Sequence, residues 1–238
     1  MRILSLFLTV VLAVSVSAQT PLVSQTFDEG TRMARAGNYE NAIENYRRAI
    51  LLAKAETVTD DFLAKVHFNI GVCLYNLKQT AQAVEKFTEA TKLSRRNYQK
   101  AFYALGMAHS ELKNRRQAAD AFHKAVDLNK KDGEAWFDLG LVLLEEKNFE
   151  SAEKAFRNAV KFKSIAAADA HNNLGVILAL KNDLLSAENE FNTALLESNG
   201  RSVEARNNLQ FCKLYKRNFQ NLMAALQFTK NREKARKI

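Results

Sequence analysis

The sequence of 238 residues contains a single proline, Pro21, and no stretch rich in proline and serine. Low-complexity runs are absent too, so no linker divides the chain and one continuous domain is expected. No Asn-x-Ser/Thr triplet occurs anywhere, and this absence favours a bacterial over a eukaryotic secretory route.

Motifs that carry chemistry are also missing. The four histidines, His67, His109, His123 and His171, include no pair four residues apart with the glutamate that a helical zinc site needs. The sequence has no phosphate-binding loop and no turn that would expose a nucleophile. We therefore expect no catalytic residue, no cofactor and no metal site, and a protein that is not an enzyme.

What the chain does contain is a repeat. Five of its eight glycines recur at intervals of 41, 35, 34 and 35 residues, and we call them the repeat glycines. A small residue follows each at 12 positions, an aromatic at 16 and an alanine at 19. A glycine inside a helix costs about 1 kcal/mol relative to alanine, so its retention predicts a close approach, which we expect to be the backbone at Ala152 for Gly140. The repeat glycines are Gly30, Gly71, Gly106, Gly140 and Gly175, and the aromatics are Tyr46, Phe87, Phe122, Phe156 and Phe191.

A period near 34 with this pattern resembles the tetratricopeptide repeat family, whose first-helix signature stands complete at Trp136, Leu139 and Gly140. The resemblance implies an all-α fold, a right-handed superhelix of helix pairs with five repeats and a C-terminal capping pair. The family's proline is missing from every repeat, so we expect the turns between repeats to depend on Asn, Asp and Gly. The expected repeats lie near 23–56, 64–97, 99–132, 133–166 and 168–201, inside a solenoid of 19–229 that ends in a degenerate capping unit at 203–229.

Residues 1–18 have the features of a cleaved signal peptide. Arg2 precedes an apolar run that ends in the small-residue pattern Val16-Ser17-Ala18, and the run is short for a bilayer span of about 20 residues. A retained membrane anchor is the alternative. We expect an exported protein, periplasmic or secreted, from a bacterial cell.

The two cysteines, Cys73 and Cys212, lie about four repeats apart, too far to bridge the roughly 7 Å limit within one solenoid. Burial as small apolar side chains is the simpler interpretation. An intermolecular bridge through an exposed Cys212 is the alternative.

In this family the first helices line the concave face, where ligands usually lie. The residues three before and one after each repeat glycine, here called the groove rows, are largely aromatic and aliphatic, so the family's carboxylate clamp is absent. The residues two before, here called the amide row, resemble the asparagine ladder of the O-linked N-acetylglucosamine transferases, which holds an extended polypeptide. Bridging between neighbouring helices is the alternative role. The predicted peptide-binding groove comprises Phe68, Asn69, Val72, Tyr103, Met107, Phe137, Asp138, Leu141, Asn172, Asn173, Val176 and Asn208.

Charge is concentrated at the C-terminus. The segment 213–238 holds 8 basic residues against one acidic residue, while the whole chain has a net charge of +9. Helix-dipole stabilisation is one interpretation, and contact with an anionic envelope surface is the other. Nucleic acid is not expected, because no base-stacking motif accompanies the charge. The basic tail at 230–238 carries Lys230, Arg232, Lys234, Arg236 and Lys237.

These features predict a non-catalytic adaptor of the cell envelope that binds another protein through a segment, extended or helical, in the concave groove. Two alternatives remain open, a self-assembling structural protein and a tether that acts through the basic tail. The sequence leaves the oligomeric state undetermined.

Overall fold

The computed structural model describes residues 22–54, 58–95, 97–215 and residue 226, and within these ranges it contains eleven α-helices and no strand. The predicted signal peptide and the basic tail lie outside the described residues. The helices are α1 (Leu22–Arg35), α2 (Tyr39–Ala53), α3 (Asp60–Asn76), α4 (Thr80–Leu93), α5 (Gln99–Glu111), α6 (Arg115–Leu128), α7 (Gly133–Glu145), α8 (Phe149–Lys161), α9 (Ala167–Leu180), α10 (Leu184–Glu197) and α11 (Val203–Tyr215).

The helices pack as consecutive pairs, and each second helix also contacts the first helix of the next pair. Three clusters of buried apolar residues run along the stack, so the core is continued from pair to pair. The all-α solenoid predicted from the repeat is confirmed. Leu226, at the position of the sixth unit where earlier repeats carry their aromatic, is partly buried and packs against the last cluster.

The aromatic residue sixteen positions on covers each repeat glycine. A Cβ built on Gly140 would lie 2.6 Å from Phe156 Cε1, and one on Gly175 would lie 2.5 Å from Phe191 Cε1. The expectation that the backbone at Ala152 presses on Gly140 is therefore wrong, because the ring edge fills that space first. The glycine is needed to seat a flat ring on the helix surface.

The turns between repeats differ from expectation, since arginine and lysine hold two left-handed positions that were assigned to Asn, Asp and Gly. Between the helices of a pair, Lys78, Lys113 and Lys147 adopt left-handed φ angles of 61° to 62°. Between repeats, Arg95 and Lys163 do the same, at 50° and 54°. A hydrogen bond closes each turn within a pair, for example from Asn148 N to Leu143 O at 2.9 Å. This helix-ending motif satisfies carbonyls that would otherwise lack partners, and this offsets the strain of the left-handed residue.

The longest interval between repeat glycines, 41 residues, has a local cause. Thr59 accepts a hydrogen bond from the backbone N–H of Phe62 through its side chain, and α3 begins directly after it. The resulting helix has 17 residues, against 13 to 15 for the others. The N-cap at Thr59 therefore makes α3 begin earlier, relative to its repeat glycine, than the other first helices do.

Both cysteines are buried as thiols. Burial raises the pKa of the Cys73 thiol to about 11, which keeps it protonated and unreactive near neutral pH. The alternative of an exposed Cys212 that forms intermolecular bridges is therefore not supported.

An ion-pair cluster ties α8 to the end of α9. The Glu153 carboxylate, 8% exposed, accepts a hydrogen bond of 2.5 Å from Lys181 Nζ and also pairs with Arg157. Burial acts to raise the pKa of Glu153, but the hydrogen bond from Lys181 and the two positive charges outweigh it, so that the pKa lies below its ordinary value.

Replacing Glu153 with glutamine is expected to lower the free energy of unfolding by about 1 to 2 kcal/mol at pH 7. A lowered folded-state pKa stabilises the fold above the pKa of the unfolded state, and this gain is lost as pH falls through the folded value. The difference between wild type and E153Q in urea denaturation should therefore shrink in acid. A difference that stays constant from pH 7 into acid would contradict the assignment.

Candidate peptide-binding groove

The predicted groove residues lie on one face of the first helices. Positions three before and one after a repeat glycine are four residues apart, which places them on the same side of an α-helix. In the second to fourth repeats most of these side chains are half-buried and apolar. Two of them form aromatic contacts with the second helix of their repeat. The ring centroids of Phe68 and Phe87 lie 5.8 Å apart, and so do those of Tyr103 and Phe122. The half-buried members are Phe68, Val72, Tyr103, Met107 and Leu141.

The remaining predicted groove residues are buried, apart from half-buried Asn69. Phe137 is 1% exposed, Val176 is 1% exposed and Asn172 is fully buried. A ligand can reach these side chains only if whatever covers them moves, and their role in binding stays a prediction. The buried members are Phe137, Asp138, Asn172, Asn173, Val176 and Asn208.

The amide row makes hydrogen bonds between neighbouring repeats. Asn208 Nδ2 donates to Asn172 Oδ1 at 2.8 Å, and both side chains are fully buried. Tyr103 donates its hydroxyl to Asp138 Oδ2 at 2.8 Å. These bonds favour the bridging role, because each joins a residue of this row to a groove-row residue of the preceding repeat.

Asn69, the member of this row in the second repeat, also bonds to the preceding repeat, here to its second helix. Asn69 Nδ2 donates to Tyr46 Oη at 3.3 Å, and the Tyr46 hydroxyl donates to Thr31 Oγ1 at 3.1 Å. Burial raises the pKa of Tyr46, although the hydrogen bond with Thr31 partly opposes the shift. These groups line an open pocket of about 430 Å³ between the first two repeats, together with Arg35 and Asn76.

A row of charged residues, here called the charge row, lies on the same helix face and was not predicted from the sequence. Six residues before each repeat glycine, or before Gln210 in the sixth unit, the chain carries Lys65 and Lys100 in repeats two and three, then acidic residues in the last three units. The spacing of three residues from the first groove row places this charge row beside the groove. Alignment of the repeats by their glycines would have revealed it. The acidic members are Glu134, Asp169 and Glu204.

One acidic member also has a structural task. Glu134 Oε1 accepts hydrogen bonds from Ser164 Oγ at 2.8 Å and from the backbone N–H of Ile165 at 2.6 Å. These bonds fix the turn between α8 and α9 onto the start of α7. The other two acidic members lie in the first turns of α9 and α11, where a negative charge favours the helix dipole.

Three of the four histidines, His67, His109 and His171, are half-buried, and they differ in environment. His171 Nδ1 lies 2.6 Å from Glu190 Oε2 on the paired helix. Burial lowers the pKa of His67, and the charge of Lys86 adds to this effect. Burial also lowers the pKa of His109. Among the described residues no group of three or more His, Cys, Asp or Glu side chains is arranged to hold a metal ion.

None of the helices in the described ranges combines the length and apolar character needed to span a membrane.

The chain matches models described as tetratricopeptide repeat over residues 34–56, 64–97 and 103–167, together more than half of its length. Among curated proteins, the human mitochondrial import receptor subunit TOM34 is 34% identical over 70 residues, which is 29% of this chain and 20% of that protein. The chain thus aligns with about a fifth of that relative.

Solved structures show the same fold. MamA from Desulfovibrio magneticus RS-1 superposes with a TM-score of 0.63 at 23% identity, over 76% of this chain and 97% of that one. YrrB, described as a TPR protein with an unusual peptide-binding site, gives a TM-score of 0.62 at 23% identity, over 74% of this chain and 86% of that one. Proteins with this fold act as protein-interaction scaffolds. The repeat models and the eleven helices together show that the chain belongs to the tetratricopeptide repeat family.

Proposed function

We infer that the chain is a non-catalytic adaptor that binds an apolar polypeptide segment of another protein in its concave groove. The observation that carries this function is the half-buried apolar stretch at Phe68, Val72, Tyr103, Met107 and Leu141. Covering apolar surface contributes about 25 cal/mol per Å², which makes such a stretch a source of affinity. The peptide-binding site named for YrrB supports a peptide ligand for a groove of this kind.

The apolar face selects against some ligands. A peptide segment held only through its carboxylate groups would leave the apolar groove side chains in contact with water or with a poorly matched chain, and would gain little affinity from them. A ligand with an apolar residue at every second position, if extended, or at intervals of three and four, if helical, would match the spacing. The groove therefore fits a segment with several apolar side chains on one face.

The location is part of the proposal. An exported adaptor would meet its partner in the periplasm or outside the cell, as the leader at 1–18 suggests. Fusing residues 1–30 to a reporter that is active only after export, with Arg2 and the apolar run intact, tests this directly. Reporter activity that is unchanged when Leu8 and Val11 are replaced by lysine would contradict it.

Binding can be tested with a phage-displayed library of random 12-residue peptides, selected on the purified chain. Replacing Met107 and Leu141 together with alanine should weaken the selected peptides at least about tenfold, because each loses buried contact area. Phe137 is left in place because its side chain is core.

The matched control for this test replaces Leu51 and Leu196 with alanine. These side chains are 63% and 77% exposed and lie on second helices, away from the groove. The proposed site would be contradicted if both double variants weakened peptide binding equally. It would also be contradicted if the groove variant unfolded normally and bound the peptides as tightly as wild type.

One observation favours a second candidate function, self-assembly through the C-terminal end. Leu185 and Leu196 on α10 and Val203 and Leu214 on α11 are all more than half exposed, between 55% and 77%. Apolar side chains concentrated at one end of a solenoid can pair with the end of another copy. Light scattering distinguishes the two functions, since self-assembly requires a mass that rises with concentration.

A further inference from the structure

Burial changes along the groove rows although the repeat geometry does not. In the second and third repeats Phe68, Val72, Tyr103 and Met107 are half-buried. At the same positions in the fifth repeat, Asn172 and Val176 are 0% and 1% exposed. Equivalent positions of a solenoid contact equivalent neighbouring helices, so the extra burial points to additional chain over the C-terminal half of the groove.

The charge row changes sign at the same place. The second and third repeats contribute Lys65 and Lys100, and the last three units contribute Glu134, Asp169 and Glu204. The C-terminal half of the groove therefore presents negative charge beside apolar surface. A segment that carries positive charge fits this half and is repelled by the other.

Leu226 follows α11 in the sequence and is described by the structure. It packs against the cluster formed by α9, α10 and α11, which includes Val176 from the groove row. Twelve residues follow it to Ile238. An extended chain of that length spans about 40 Å, while helices in contact lie about 8 to 10 Å apart. The last residues can therefore reach α7.

We propose that the basic C-terminal segment, residues 227–238, occupies the C-terminal half of the concave groove and so competes with an external peptide. Its five cations, Lys230, Arg232, Lys234, Arg236 and Lys237, are opposite in charge to the acidic members of the charge row. Its placement adds to the cover that α11 provides through the hydrogen bond from Asn208 to Asn172 and the packing of Leu209 and Cys212 with Val176. Competition with an external ligand rests on the proposed function, whereas occupancy by the segment does not.

Site-specific photocrosslinking in the full chain tests the occupancy without a partner. Benzoylphenylalanine is placed at Leu141, which is half-buried in the groove, and adducts are mapped by mass spectrometry at low protein concentration. We expect intramolecular adducts to residues 227–238. The matched control carries the same probe at Lys154, which is exposed on second helix α8, and should give none to this segment.

Charge variants sharpen the test. Replacing Asp169 with asparagine and Glu204 with glutamine should lower the yield of these adducts about threefold to fivefold, as loss of two partly exposed ion pairs implies. Salt at 1 M, where the Debye length is about 3 Å, should lower it as well. Normal thermal unfolding of the chain that carries the probe at Leu141 excludes a local folding defect.

Adducts from Leu141 to residues 1–18, to a second copy of the chain, or to no other segment would each overturn the proposal. A yield that is insensitive to both the charge variants and salt would overturn the role of the basic residues. Peptide selection that fails even at 1 M salt, where the basic segment should leave the groove, would count against the proposed function, while the adducts at low salt would still be expected.

Discussion

Replacing Gly175 with valine is expected to lower the free energy of unfolding by about 3 kcal/mol. The new Cβ would lie 2.5 to 2.9 Å from three atoms of the Phe191 ring, and Phe191 is fully buried. Valine has a better helix propensity than glycine, so local preference alone would stabilise the helix. A loss of stability in urea denaturation therefore reports the clash.

Two variants separate the clash from other effects. Gly200→Ala meets nothing within 4 Å and pays only for its φ of 73°, about 1 kcal/mol. Shortening the ring in Gly175→Val/Phe191→Leu should recover part of the loss, since the two changes act on one contact. Additive losses in the double variant would show that the ring does not cover the glycine.

Replacing Phe156 with alanine is expected to cost about 3 to 5 kcal/mol, the range for an aromatic side chain lost from a packed core. Phe156 is fully buried, covers Gly140 and lies 5.7 Å between ring centroids from Phe137. Because it stands in the fourth of the five repeats, its loss uncouples the units on either side.

Thermal or urea unfolding followed by circular dichroism measures this effect. Coupled repeats need not unfold in one step, so the transition of the variant should broaden as well as shift. Leu196→Ala is the control, since a side chain 77% exposed should change stability by no more than about 0.5 kcal/mol. A loss for Phe156→Ala as small as that of the control would contradict the assignment of the core.

The repeat made most of the fold predictable. Gly71, Phe87 and Ala90 occupy fixed offsets, and the same offsets recur four more times, so one helical hairpin had to serve for all. Errors arose where a contact depends on shape. The ring of Phe156, rather than the backbone at Ala152, lies nearest Gly140, and offsets along the chain cannot show which of two residues on one helix face comes closer.

The candidate groove was predictable as a helix face but not as a surface. Helical spacing places Tyr103, Leu141 and Val176 on one side, and the structure agrees. Helical spacing does not show whether another segment covers a side chain. Val176 is buried, whereas Leu141 at the same repeat position is only half-buried. The bond from Asn208 to Asn172 spans 36 residues, so its existence depends on how tightly adjacent repeats stack.

The sequence by itself determined the class of this protein, the five helix pairs from α1 to α10 and the helix face that carries the candidate groove. These follow from the periodic pattern of glycine, alanine and aromatic residues, which depends on contacts within one helix pair and occurs five times along the chain. Only the tertiary structure decided which groove residues are accessible, that the amide row joins neighbouring repeats, and that lysine can hold the left-handed turns at Lys78, Lys113 and Lys147. Each of these depends on distances between segments far apart in sequence, or on hydrogen bonds that offset a local strain.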